Sequence, residues 1–206
     1  MNSEQQYIDL YHQANDLICR HSAPLMNAHR QEALEAFQRV GFPSKQVERY
    51  KYTDVAQIFA PDYGLDLGRI DIPVNPYEVF RCDVPNLSTS LYFVLNDLFY
   101  DKALPKATLP EGVIISSLGK ACEEFPEVVK RCYGQLARPG KDAINALNTM
   151  LAQDGLFIYV PRGLVVDRTI QVINILRSDV DLMVNRRVLI VLEEGAQAPA
   201  RVRAPQ

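Results

Sequence analysis

The sequence predicts an α+β protein in which an N-terminal helical hairpin and a small mixed α/β region lead into coiled, parallel strands. Two observations carry this. Near the N-terminus apolar residues recur at the helical period of about 3.6 residues. From Gly155 onward they form short β-branched runs instead, LFIYVP, IQVINIL and RVLIVLEE, apolar on nearly both faces. A strand apolar on both faces is buried on both, as in a parallel sheet or the interior of a solenoid. The run centres lie about 15 to 17 residues apart, too close for a crossover helix, which favours strand-turn-strand coiling over βαβ units. The expected divisions are 1–60 for the helical region, 61–154 for the mixed region and 155–206 for the start of the strand coil.

The elements follow in order. In the first helix Tyr7, Leu10, Tyr11, Ala14, Leu17, Ile18 and His21 share one face, and Ser3 with Gln6 has the pattern of a capping box. A second helix follows Pro24, with Met26, His29 or Arg30, Ala33, Phe37 and Val40 as its face, and ends at Gly41 and Pro43. Pro61 to Pro85 is loop-like. SLYFVLNDLFYDKALP reads as a hairpin whose Asn96-Asp97 dipeptide tolerates the positive φ of a tight turn. VIISSL adds a strand. Ser117 then starts a helical pattern through Leu118, Ala121, Cys122, Phe125, Val129 and Cys132, which Pro126 divides or restarts. Asp142 opens a last helix with Ile144, Leu147 and Leu151 on one face and Gly155 as its stop.

With 206 residues, 48% hydrophobic and 23% charged, the chain is long enough to bury a core in one or two domains. Its net charge of -3 comes from 22 basic and 25 acidic residues intermixed along the chain, without the basic stripe of a nucleic-acid binder. No basic-then-apolar leader opens it, and the longest strictly apolar run, Val188 to Leu192, is about five residues, far short of a membrane span. The reading is cytoplasmic. Cys19, Cys82, Cys122 and Cys132 form no C-x-x-C pair and no set with metal-ligand spacing. On one continuous helix Cys122 and Cys132 would stand about 15 Å apart, beyond the roughly 7 Å a disulfide spans. Four reduced, mostly buried thiols are expected, with no cluster held by this segment alone.

The motifs of nucleotide and hydrolase chemistry are missing. Gly140-Lys141 is followed by Asp142 where a phosphate loop needs Ser or Thr, no G-x-G-x-x-G follows a strand, and no G-x-S-x-G exists. His29 and Glu32 lack a third metal ligand, so His29 reads as a surface residue; His21 reads as a core histidine, and His12 does not face it. The candidate that remains is ERYKYTD, Glu48 to Asp54. As catalytic acids Tyr50 and Tyr52 would need strongly lowered pKa values, a direction that Arg49 and Lys51 favour. As packing residues, Tyr50, Val55, Ile58 and Phe59 bury apolar area while Glu48, Lys51 and Asp54 face water. A partner surface is the third role. Packing is the simplest of the three, and a small-ligand-binding protein or enzyme using Tyr50 and Tyr52 is the alternative. No catalytic, cofactor-binding or metal-binding residue is assigned.

The same stretch carries a resemblance. Gly41, Phe42, Pro43, Glu48, Tyr52 and Thr53 resemble an element near the N-terminus of the SufD family, subunits of the SUF iron–sulfur cluster assembly machinery, with Tyr50 where Trp is common. A second block resembles the family's entry into its core: Asn145 to Asn148, then Asp154 to Ile158, Val160 and Pro161. Thr169, Ile170, Gln171 and RRVLIVLEEGAQA continue it, with Thr169 where Pro is usual. The resemblance runs from about Phe37 to Ala198. The related SufB shares the later block but not the YKYTD element.

What the resemblance implies is an N-terminal helical region leading into the first rungs of a right-handed parallel β-helix, here truncated. It also implies a non-catalytic scaffold subunit that works with SufB and the SufC ATPase and assists iron supply and cluster assembly. The iron–sulfur cluster and reduced flavin belong to the complex as a whole; none is expected on this segment, and no functional residue of the family is carried onto a position here. ARVRAPQ does not resemble a further family strand. A coil stopping there leaves an uncapped edge, expected of a piece of a longer protein or of a chain that associates with itself.

Overall fold

A computed structural model describes residues 3–65, 67, 73, 75–79, 89–103, 109–178 and 181–203. Helix α1 (Ser3–Arg20) buries Tyr7, Ile8, Tyr11, Ala14 and Ile18, whereas Leu17, expected on that face, is exposed. The capping-box expectation fails. Ser3 is already helical, and the Gln6 amide instead donates to the Phe59 and Pro61 carbonyls, each at 3.0 Å.

The expected second helix is two. α2 (Pro24–Asn27) ends at Ala28, and α3 (Arg30–Val40) starts after His29 and stops at Gly41, whose φ of 63° suits glycine. Val40 is exposed rather than buried. A short helix α4 (Val55–Ile58) follows, capped by Asp54, which accepts from the Gln57 amide at 3.1 Å. Of the expected loop from Pro61 to Pro85 the described part includes α5 (Pro76–Val79); Cys82 lies outside the described residues.

The hairpin forms as expected. β1 (Thr89–Leu95) and β2 (Leu98–Phe99) are antiparallel, and Asn96 at the turn has a φ of 53°. β3 (Ile114–Ser117) leads into α6 (Leu118–Glu124), capped by the Ser117 hydroxyl, which accepts from the Lys120 amide at 3.0 Å. Pro126 then restarts the chain as the first residue of α7 (Pro126–Cys132). Cys122 and Cys132 thus sit on separate helices, and with Cys19 they are free thiols. Helix α8 (Ala143–Leu151) ends before Gly155, which belongs instead to β4 (Asp154–Val160).

The remaining strands are β5 (Thr169–Ile175), β6 (Arg186–Leu192) and β7 (Ala200–Arg203). Ala200–Arg203 is a correction, since that stretch was not expected to continue the strands. The strands form two sheets, β2-β1-β5-β7 and β3-β4-β6, between which the chain alternates from β4 to β7, and β4 with β6, β1 with β5 and β5 with β7 are parallel. The corners repeat as well. Gly163 and Gly195 both have positive φ, and the Gly163 amide donates to the Glu194 carbonyl at 2.9 Å.

Three cores result. Helices α1, α3 and α8 form the first, with Phe42 and Phe59 packed against it. Helices α6 and α7 cover Phe157 and Val191 on one face of the β4–β6 sheet. Between the sheets lie Tyr92 and Val94 of β1, Leu156, Ile158 and Val160 of β4, and Ile170 and Val172 of β5. β4 is buried on both faces, as its composition predicts. β6 is not: Val188, Ile190 and Leu192 are 45%, 43% and 46% exposed although their partners across the ladder are buried. It is the last strand of its sheet among the described residues, so its inward side chains meet no further rung.

Candidate functional site

The ERYKYTD segment folds as a single 3-10 turn over Glu48–Tyr50 followed by the start of α4. Its two tyrosines part company. Tyr52 is 91% exposed, with the Lys51 ammonium 5.6 Å from its ring centroid. Tyr50 is half-buried, and its hydroxyl donates to Asp142 Oδ2 at 2.8 Å. Arg49 reaches the same oxygen at 3.2 Å. The packing expectation therefore holds for Tyr50, Val55 and Phe59 but not for Ile58, which faces solvent as Tyr52 does.

Asp142 is the pivot. Its other oxygen, Oδ1, caps α8 by accepting from the amides of Ile144 at 2.8 Å and Asn145 at 3.3 Å. One carboxylate thus answers two orphan donors of a helix end and ties that helix to a segment far away in sequence. The electrostatics oppose phenolate chemistry. Burial, then the hydrogen bond to Asp142 and its negative charge, raise the Tyr50 phenol above its ordinary value, and Arg49 only partly offsets them. The site orients and fastens, and it holds the Tyr50 phenol toward its protonated form.

The other end of α8 is fastened by Arg30, 1% exposed. Its guanidinium donates to the carbonyls of Thr149 at 3.3 Å, Met150 at 2.8 Å and Ala152 at 2.7 Å, and to Ser22 Oγ and Asn27 Oδ1. A cation against the last carbonyls of a helix satisfies them and suits the negative end of its dipole. Sequence reasoning placed Arg30 only as an alternative to His29 on an apolar face. The signal it lacked was the break at Ala28, which Asn27 and His29, weak helix formers on either side, mark only faintly.

Residues of the second quoted block do comparable work. Asn148 donates to the Arg186 carbonyl at 3.1 Å, linking α8 to β6, and Asp154 accepts from the Gly119 amide at 2.8 Å. A Cβ on Gly155 would lie 1.8 Å from the Arg187 carbonyl oxygen, so only glycine fits this crossing of β4 and β6.

Elsewhere reactive groups are scattered. His12 is exposed, His21 is half-buried just beyond α1, and His29, expected at the surface, packs edge-on against Tyr133 at 5.2 Å. Burial, with Asp154 and Glu123 behind it, pushes the Cys122 thiol up to about 11, away from the thiolate that metals bind. Among the described residues no group of three or more His, Cys, Asp and Glu side chains is placed to hold a metal ion, and no helix is long and apolar enough to cross a membrane. A groove of about 440 Å³ runs beside β6, lined by residues such as Tyr133, Leu136, Asn145 and Val188.

Comparison with known proteins gives these features a setting. The family described as SufBD protein N-terminal region matches residues 1–172. An iron–sulfur cluster assembly SufBD family protein of Synechocystis sp. is 24% identical over 169 residues, 82% of this chain and 36% of the relative. Proteins of the same description from Arabidopsis thaliana and Trieres chinensis are 29% and 28% identical over 131 and 120 residues, 64% and 54% of this chain. Those matches cover 27% and 24% of the relatives, so the chain spans little more than a third of their length at most.

Proposed function

This chain belongs to the SufBD family, and from that premise we propose that it is the N-terminal part of a SufD-type scaffold subunit in iron–sulfur cluster assembly. In this reading it is not an enzyme. It works in the cytoplasm beside SufB and the SufC ATPase, assisting iron supply while the cluster, the cargo of the complex, is built elsewhere. The observation that carries the reading is the family match over residues 1–172. Supporting it, Asn148 and Asp154 of the second block serve as fasteners, on a strand carbonyl and a helix amide, as does Asp142 just before that block, on a helix cap and Tyr50. The YKYTD element favours SufD over SufB. Strands β4 to β7, alternating between two sheets with parallel partners, are read as the opening coil of a right-handed parallel β-helix.

Co-purification tests this. A form extended to the length of the relatives is expected to co-elute with SufB and SufC in fixed stoichiometry, and residues 1–206 alone are not. Failure of the extended form to associate overturns the assembly reading.

A second reading rests on the open side of β6. Unpaired strand edges with apolar flanks pair with other chains, and Val188, Ile190 and Leu192 offer such a flank. Residues 1–206 alone are then expected to self-associate in light scattering, and Ile190→Lys to return them to monomers. A monomeric parent sinks this reading.

A further inference from the structure

Where the helical cluster meets the strands, a small cavity offers about 10 Å³ to the centre of a water molecule, close to the least that one water needs. Three segments meet there. Asp97 comes from the β1–β2 turn, Gln153 from the link between α8 and β4, and Asn185 from the position just before β6; Leu151 and Met183 supply apolar wall. Asp97, Gln153 and Asn185 are 4%, 3% and 9% exposed. The Asn185 Nδ2 is buried and has no hydrogen-bond partner among the described residues. Proteins seldom leave an amide donor so, because its lost hydration goes uncompensated. The Asp97 carboxylate and the Gln153 side-chain carbonyl are acceptors with more than one lone pair, so each has capacity for a further donor whatever else it bonds.

We propose that a single water molecule is bound in this cavity, accepting from Asn185 Nδ2 and donating to the side-chain oxygens of Asp97 and Gln153. It closes a polar seam that joins the hairpin, the end of the helical cluster and the entry to β6. The charge around the cavity favours a neutral occupant over a cation. Arg186 follows Asn185 and donates to the Asn96 carbonyl at 3.1 Å, beside Asp97. Burial pushes its guanidinium below the ordinary value, and the Asp97 carboxylate works against that, as one charge answering another. A metal would also face the Asn185 donor where it needs an oxygen. Water alone both accepts and donates here.

Two measurements on the whole chain decide it. A crystal structure at about 1.5 Å resolution is expected to show one isolated peak roughly 2.7–3.2 Å from Asn185 Nδ2 and from at least one oxygen of Asp97 or Gln153. An empty cavity overturns the proposal, as does a peak at roughly 2.0–2.6 Å from oxygens only, the signature of a metal. In solution the Asn185 side-chain amide protons are expected to show cross-peaks to water of opposite sign in NOE and ROE spectra, marking a long-lived water. Their absence overturns it independently of any crystal.

Discussion

The helical end of this molecule answers its open backbone groups with side chains, whereas at the strand end the open groups run along strand edges. Around α8, side chains answer the backbone groups that a helix leaves open: the adjacent Asp142 at its first turn and the remote Arg30 at its last. Around β6 and β7 the open groups belong to strand edges, and each strand is paired on one side only among the described residues. A helix end can be satisfied by one side chain from anywhere in the chain. A strand edge runs the length of the strand, and only another strand, or a surface that covers it, satisfies all of it. One side chain thus answers much of a helix end, whereas a strand edge stays open along its length until a strand or a covering surface meets it.

The comparison breaks most sharply at Arg30. Arg30→Met removes the donor to three carbonyls at and just beyond the end of α8 and is expected to cost about 4 kcal/mol in urea unfolding. A loss under about 1 kcal/mol would mean that apolar packing alone closes the helical end. Next is Gly155→Ala, which pushes β4 from β6 and is expected to cost about 3 kcal/mol. If it proves neutral, the close crossing at Arg187 is not a constraint. Tyr50→Phe sharpens the helical side, with an expected cost of about 1 kcal/mol. Because Asp142 still caps α8 in that variant, hydrogen exchange of the first turn of α8 should change little.

The smallest effect is electrostatic. Lys45 stands 3.0 Å from Asp54, and that contact, then the Gln57 amide, lowers the Asp54 pKa. A depressed folded pKa adds stability above the unfolded value near 3.9, and the gain fades as pH falls through the folded value. NMR titration is expected to give a midpoint below the ordinary carboxylate value, and Lys45→Met should move it upward. An unmoved midpoint would show that the backbone amide alone sets it.

Most local signals were legible in the sequence, the Ser3–Gln6 cap and the break at Ala28 excepted, and long-range ones were not. The Asn96-Asp97 turn, the Ser117 cap, the Pro126 restart and the Asp142 helix start each depend on neighbours within a few residues, and all appear where expected. Alternation between two sheets was foreshadowed by strands too closely spaced for helices. The parallel pairing of β1 with β5 was not, because nothing local distinguishes it from a free-standing hairpin. At the candidate site, the sequence offered Tyr50 and Tyr52 as equals. Their difference comes from Asp142, whose second oxygen was free to take a remote donor while the first capped its helix.

That β1–β5 ladder sets an order of events during synthesis. Leu95 leaves the ribosome well before Thr169, its sheet neighbour's first residue, and at ordinary translation rates the wait is roughly several seconds. Until then β1 has only the two-residue β2 beside it, and Phe93 and Val94, buried in the finished fold, have no sheet to enter. Until β5 emerges, the edge of β1 that its parallel neighbour covers in the finished fold stays open to other strands.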